Sequence, residues 1–251
     1  MRSGWLLIPT GVFVAFGAVA VARLWPTRTS RLVVFGVTGF GVLVVTCQGL
    51  GVLAAVLRQP VVQPLWILVG SGAVALVCWR VAGLLRGRDL SWGDDDFPGG
   101  ARALSGARLR DRVPALTVVA VALAVLSHSI VLGLSAPPRG WDVLAYHMPR
   151  ALSWLQQGNL GNYGSIAAFY PGNGEIAILL SLFTGTDRLA PLVQLPFALL
   201  GGAALCGLAR ELGASARAAA VPAIVFFASP MVLFGSALAK NDLMVIGLVL
   251  G

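Results

Sequence analysis

Along most of this chain apolar positions do not alternate with polar ones; they run on for about 20 residues at a time. Six such runs occur, at 5–22, 32–57, 62–84, 113–134, 188–209 and 219–238, and a seventh begins near Leu243. Coiled as an α-helix, a run of that length matches the roughly 30 Å hydrocarbon core of a bilayer. Only helices and closed barrels satisfy their backbone groups inside that core. Barrel strands show themselves as short alternating segments, so the pattern predicts an all-α, polytopic transmembrane helix bundle. The apolar stretch 176–183 is too short to cross and is expected as a buried or interfacial helix. The seventh run is unfinished at Gly251, so the last helix is expected to be cut short.

Composition points the same way. The chain is 57% hydrophobic and 11% charged, against about 25% charged residues in soluble domains, which excludes a water-soluble globular enzyme. Its net charge of +8 rests on 17 arginines and one lysine against 10 acids. In a soluble protein that balance would suggest nucleic acid; here it describes loops, and no nucleic-acid partner is expected. Arg23, Arg28 and Arg31, then Arg80, the loop 86–112 with six arginines, and Arg210 and Arg217 place twelve basic residues on one side of the membrane. Arg2, Arg58, Arg139, Arg150, Arg188 and Lys240 fall on the other. The richer side is expected to be cytoplasmic, which puts 135–187 and Lys240-Asn241-Asp242 outside. The first run has Ala-Val-Ala near its end, as a signal peptide would, but Arg23 directly after it favours an uncleaved helix. Cys47, Cys78 and Cys206 lie within apolar runs and read as small buried hydrophobes, without metal or disulfide spacing.

Four acids then share the outer side: Asp142, Glu175, Asp187 and Asp242. The segment 135–187 is far longer than a passive connection, since structureless loops beyond about 12–15 residues are uncommon. From Trp141 to Gln157, closed by Gly158, helical periodicity gathers Leu144, Met148, Ala151, Leu152 and Leu155 within about 100° of arc. Asp142, Tyr146, Arg150, Ser153 and Gln157 fall within about 80° on the other face. This predicts a helix lying on the membrane surface, with Trp141 and Trp154 at the interface and Pro149 kinking it or starting a second helix. Asp142 then stands either as a helix-dipole partner or as a reactive carboxylate. His147, on the flank of the apolar face, reads as interfacial packing, and His128, between two serines in the fourth run, as hydrogen-bonded in the bundle. Glu175 and Asp187 each open a helix and serve its dipole.

The stretch Gly140-Trp141-Asp142-Val143-Leu144-Ala145-Tyr146-His147-Met148-Pro149-Arg150-Ala151-Leu152-Ser153-Trp154 resembles the first outer loop of GT-C membrane glycosyltransferases. The branch it is most similar to holds the protein O-mannosyltransferases and lipid A aminoarabinose transferases. Tyr170-Pro171 with the short apolar helix and Gly185-Thr186-Asp187-Arg188-Leu189-Ala190-Pro191 looks like that family's second juxtamembrane helix and next span. Leu208-Ala209-Arg210-Glu211-Leu212-Gly213 resembles a cytoplasmic turn between paired helices, and Ser229-Pro230 through Ala239-Lys240-Asn241-Asp242 a second outer acidic site. The likeness covers 115–251. It departs in two ways: three spans (1–85) stand ahead of the one that leads into the loop, where family members reach the loop after their first span, and the family's later spans are absent. The organisation implied is three extra N-terminal helices at 1–85, a basic cytoplasmic loop at 86–112, and a GT-C-like core at 113–251 truncated at its C-terminus.

The resemblance implies transfer of a sugar from a polyprenyl-phosphate carrier to an extracytoplasmic acceptor that is a glycan, a lipid or a protein. Asp142 occupies the position of the general base, with Asp242 supporting it. Tyr146, His147, Arg150, Glu175, Arg188 and Lys240 are expected around donor phosphate and substrate, Arg being suited to clamp phosphate with two bonds. Lys240 reads equally as a snorkelling residue and Asp242, with Asn241, as a helix cap. Two carboxylates suit Mg²⁺ or Mn²⁺, but some members of the family work without metal, and none is assigned. Abundant Arg, Ala and Gly fit a GC-rich bacterial genome and hence a bacterial plasma membrane. The competing reading is a transporter, flippase or assembly subunit of a cell-envelope glycan pathway. Charged residues within spans mark transporters, and these spans are nearly free of them.

Overall fold

The chain, seen in a computed structural model, is described over residues 4–25, 28–85, 109–161 and 172–250. In chain order the helices are α1 (Leu7–Ala22), α2 (Arg28–Leu57), α3 (Pro64–Leu85), α4 (Leu109–Ser135), α5 (Met148–Gln157), α6 (Asn173–Leu182), α7 (Leu195–Glu211), α8 (Ala216–Ala228), α9 (Pro230–Gly235) and α10 (Asp242–Leu250). A π-helical turn, Val143–His147, leads directly into α5. No strand occurs among the described residues. The predicted basic loop lies largely outside them, as do Tyr170 and Pro171.

Among the described residues four stretches are long and apolar enough to cross a membrane: Arg31–Leu57, Pro64–Leu85, Leu116–Ser135 and Ala190–Glu211. Two of the six expected spans fall short as single helices. Helix α1 has 16 residues, a rise of about 24 Å at 1.5 Å per residue. The run 219–238 is broken, because Pro230 disfavours the helical conformation at the residue before it. Ser229 accordingly takes ψ 131°, ending α8, and α9 restarts with the proline at its first position.

Helix α1 packs on α2 and α3, α7 on α2, α8 and α10, and α4 on α8. Small residues allow the approach: a Cβ on Gly17 would lie 3.0 Å from Ala75 Cα. Outward-facing Ile8, Val56, Val77, Leu84, Val131 and Val225 are exposed. Apolar surface of that extent suits hydrocarbon, not water.

One end of the bundle collects the links that arginine placement assigned to a single compartment. The Val62 N–H donates to Gly158 O at 2.7 Å. Gln48 Nε2 in α2 donates to Asn173 Oδ1 at 3.0 Å, and the Leu243 N–H to Gln194 Oε1 at 2.7 Å. Beneath them, Val143, Met148, Ala151 and Trp154 pack with Ile176, Ile178, Leu179 and Leu182 over Cys47, Leu50 and Ile67. Two glycines permit this closure. Gly158 ends α5 at φ 65°, a left-handed conformation that favours glycine. Gly174 faces Asn241 so closely that a Cβ would stand 2.5 Å from Asn241 Cβ. Gly174→Ala should therefore force α6 away from the 236–241 segment and destabilise the protein by about 1–3 kcal/mol. Thermal unfolding in detergent checks this, and a wild-type melting curve would show that the segment retreats without cost.

Candidate functional site

The expected surface helix carries an insertion. The Leu144 N–H reaches Gly140 O, four residues back, but the Met148 N–H reaches Val143 O, five residues back. That extra residue rotates everything beyond it relative to a regular α-helix, and the predicted polar face separates into two groups. Asp142 and Tyr146 stay half-buried toward one side, whereas Arg150 turns inward and is 4% exposed. Pro149 starts the second helix, at its second position.

The inner group centres on Glu175, in the first turn of α6. His147 Nδ1 lies 2.9 Å from Glu175 Oε1 and Arg150 Nη1 3.7 Å from the same oxygen, with all three side chains buried. The Arg150 guanidinium sits over the Trp154 ring at 5.5 Å. Two expectations are corrected here. His147 is a buried partner of a carboxylate rather than an interfacial packing residue. Trp154 is buried, its Nε1 donating to Gly161 O at 2.9 Å, and of the two tryptophans only Trp141 is exposed. Glu175 keeps its expected place at the helix N-terminus, but its carboxylate is also the centre of this cluster.

The outer group joins residues remote in sequence. Lys240 Nζ lies 2.6 Å from Asp142 Oδ2 and 3.8 Å from Asp242 Oδ2. Asp242 opens α10. Tyr146 bridges the two groups: its ring centroid is 4.2 Å from that of His147, and it feels the charges of Asp142, Lys240, Asp242 and Glu175. Desolvation pushes the Tyr146 hydroxyl above the usual tyrosine range, and the Asp142 carboxylate adds to it. The hydrogen bond to Asp142 raises the Lys240 ammonium above its ordinary value.

For both groups the fold favours the protonated form. Their contribution to stability is full below the ordinary pKa values, about 10 for Tyr and 10.4 for Lys. It fades as pH rises through the raised folded values. Absorbance at 295 nm, with Tyr146→Phe as the difference, should show the Tyr146 phenolate forming above the ordinary tyrosine value of about 10. Its formation at or below that value would contradict this environment.

Other expected site residues stand apart. Arg188 is exposed on the turn before α7, its backbone N–H 3.3 Å from Thr186 Oγ1. Asp187 is exposed beside it. His128 lies edge-on to Phe234 at 6.2 Å, and its Nε2 is buried without a hydrogen-bond partner; the neighbouring Ser129 instead bonds Ser236 at 2.6 Å. The place between the carboxylates of Asp142 and Asp242 is taken by the Lys240 ammonium. Among the described residues no three His, Cys, Asp or Glu side chains are grouped to hold a metal.

Sequence reasoning passed over Gln194, a fully buried amide in an apolar run. A polar side chain at a position otherwise suited to lipid or core was the signal available. No family model, curated protein or solved structure matches the chain.

Proposed function

We propose that the protein is a GT-C-type membrane glycosyltransferase of the bacterial plasma membrane, transferring a sugar from a polyprenyl-phosphate donor to an extracytoplasmic acceptor. The observation that carries this reading is the meeting of Asp142 with Lys240 and Asp242 in one half-exposed cluster at the end of an apolar bundle. There a water-facing acceptor and a lipid-linked donor meet. Asp142 takes the proton of the acceptor hydroxyl as its oxygen bonds to the anomeric carbon. The bond from that carbon to the phosphate oxygen breaks, and its electron pair leaves with the polyprenyl phosphate. Lys240 is the nearest cation to receive that charge, and Asp242 holds the ammonium in place. The buried Glu175, His147 and Arg150 shape the wall behind them rather than contacting donor.

The transport reading gains nothing from the clustered charges of Asp142, Arg150, Glu175, Lys240 and Asp242, none of which lies in the four spanning stretches. The test is reconstitution in nanodiscs with a polyprenyl-phosphate-linked radiolabelled sugar and a cell-envelope glycan acceptor. Transfer lost in Asp142→Asn, with photo-crosslinking to polyprenyl phosphate retained, supports the proposal. Donor binding with no transfer by the wild-type protein would favour a non-catalytic carrier of lipid-linked sugar.

A further inference from the structure

Lys240 reaches Asp142 from a stretch of chain that is neither helix nor strand, between α9 and α10. Such a segment needs something to hold its shape. Helix α9 is only six residues long, and the start of α10 leaves backbone donors without intrahelical partners. A single side chain from another helix meets both needs. Gln194, just before α7, is 0% exposed. Its Nε2 donates to Gly235 O at 2.9 Å and to Leu238 O at 3.2 Å, and its Oε1 accepts from the Leu243 N–H at 2.7 Å. Both amide protons and one carbonyl lone pair are used, on the two flanks of residues 239–242. Within that bracket, Gly174 packs directly against Asn241, leaving the loop little room to slide.

We infer that Gln194 is a positioning residue: its amide clamps the 235–243 segment from inside the bundle and so presents Lys240 to Asp142. The inference stands on this geometry and does not depend on sugar transfer. Shape alone would be served by a methionine of similar volume. The clamp requires an amide, because an unpaired buried carbonyl or N–H costs about 1–3 kcal/mol and the segment must move to find other partners. The charged and titratable groups around Lys240 are Asp142, Asp242 and Tyr146.

Lys240 is the only lysine in the chain, so acylation by a water-soluble N-hydroxysuccinimide ester, followed on the Lys240 peptide by mass spectrometry, reports on one side chain. The full-length protein is labelled in nanodiscs between pH 8 and 11. In the wild type the hydrogen bond to Asp142 keeps the amine protonated and slow to react. Gln194→Met should speed acylation by about threefold or more, by releasing Lys240 from that bond. Asp142→Asn should speed it comparably, and the double variant should add little, as expected of residues acting in one unit. If Gln194→Met does not insert, Gln194→Asn carries the same test, since its amide is one methylene too short to reach Gly235 O, Leu238 O and the Leu243 N–H together and should give a smaller acceleration. Wild-type acylation profiles in these variants, or full additivity with Asp142→Asn, would overturn the inference even where the melting temperature falls.

Discussion

Glu175→Ala is expected to cost the protein about 3–5 kcal/mol, the scale for removing one partner from a buried ion pair. The reason is what remains. Arg150 is 4% exposed and His147 2%. Without the carboxylate, the Arg150 guanidinium stays buried over the Trp154 ring and short of its ion-pair partner. The other effect of the substitution, loss of an acid from the first turn of α6, is smaller, about 0.3–1 kcal/mol at exposed sites and ~2 at best. Loss of the carboxylate from beside two buried basic side chains therefore decides the outcome. Glu175→Gln, which keeps the shape and an acceptor oxygen, should cost less. Replacing Glu175 by Leu and Arg150 by Met together should cost less than the two single changes added, with coupling of about 0.5–3 kcal/mol. Thermal unfolding and limited proteolysis in detergent read these differences. A Glu175→Ala protein with wild-type stability would mean that this cluster is not the fastening between α5 and α6 described above.

That fastening also shows where reading the sequence reached its limit. Runs of apolar residues located α2, α3 and α4 to within about a turn and α7 to within about two, because in a bilayer the length of an apolar run is itself the structural constraint. The same rule overran at 219–238, where hydropathy is blind to a backbone effect: Ser229, preceding Pro230, leaves the helix at ψ 131°. The outer segment failed more instructively. A period of 3.6 residues aligned Asp142, Tyr146 and Arg150 on one face, and one extra residue in Val143–His147 undid the alignment. A π-turn has no pattern of its own in hydropathy; it follows from burying His147 and Arg150 against Glu175, a partner supplied by another helix. The pairing of Asp142 with Lys240 was equally invisible as a contact. Both residues were legible as candidates because charges are scarce in this chain and fell on one predicted side. The closure that joins them depends on Gly174 and Gln194, whose roles exist only once α6, α7 and α10 are packed together.

Asp142→Asn, in contrast to Glu175→Ala, should leave the fold nearly untouched and remove the chemistry. Its side chain is 35% exposed and that of Lys240 22%. An ion pair open to solvent to that degree contributes about 0–1 kcal/mol, so the melting temperature should scarcely move. Under the proposed function the same substitution removes the group that takes the acceptor proton, worth about 10²–10⁴ in rate, or roughly 3–5 kcal/mol of barrier at 1.36 kcal/mol per tenfold. The loss should fall on kcat, with KM for the polyprenyl-phosphate donor little changed, because the carboxylate acts in the transition state and not in holding the donor. Lys240→Gln should divide differently. It removes the cation that receives the leaving phosphate but also frees Asp142, so it should raise KM for the donor and lower kcat less than Asp142→Asn does. Steady-state transfer in nanodiscs, with melting curves on the same preparations, separates the two patterns. Wild-type transfer by Asp142→Asn would remove Asp142 from the mechanism, and a kcat loss accompanied by an equal loss of stability would make it structural.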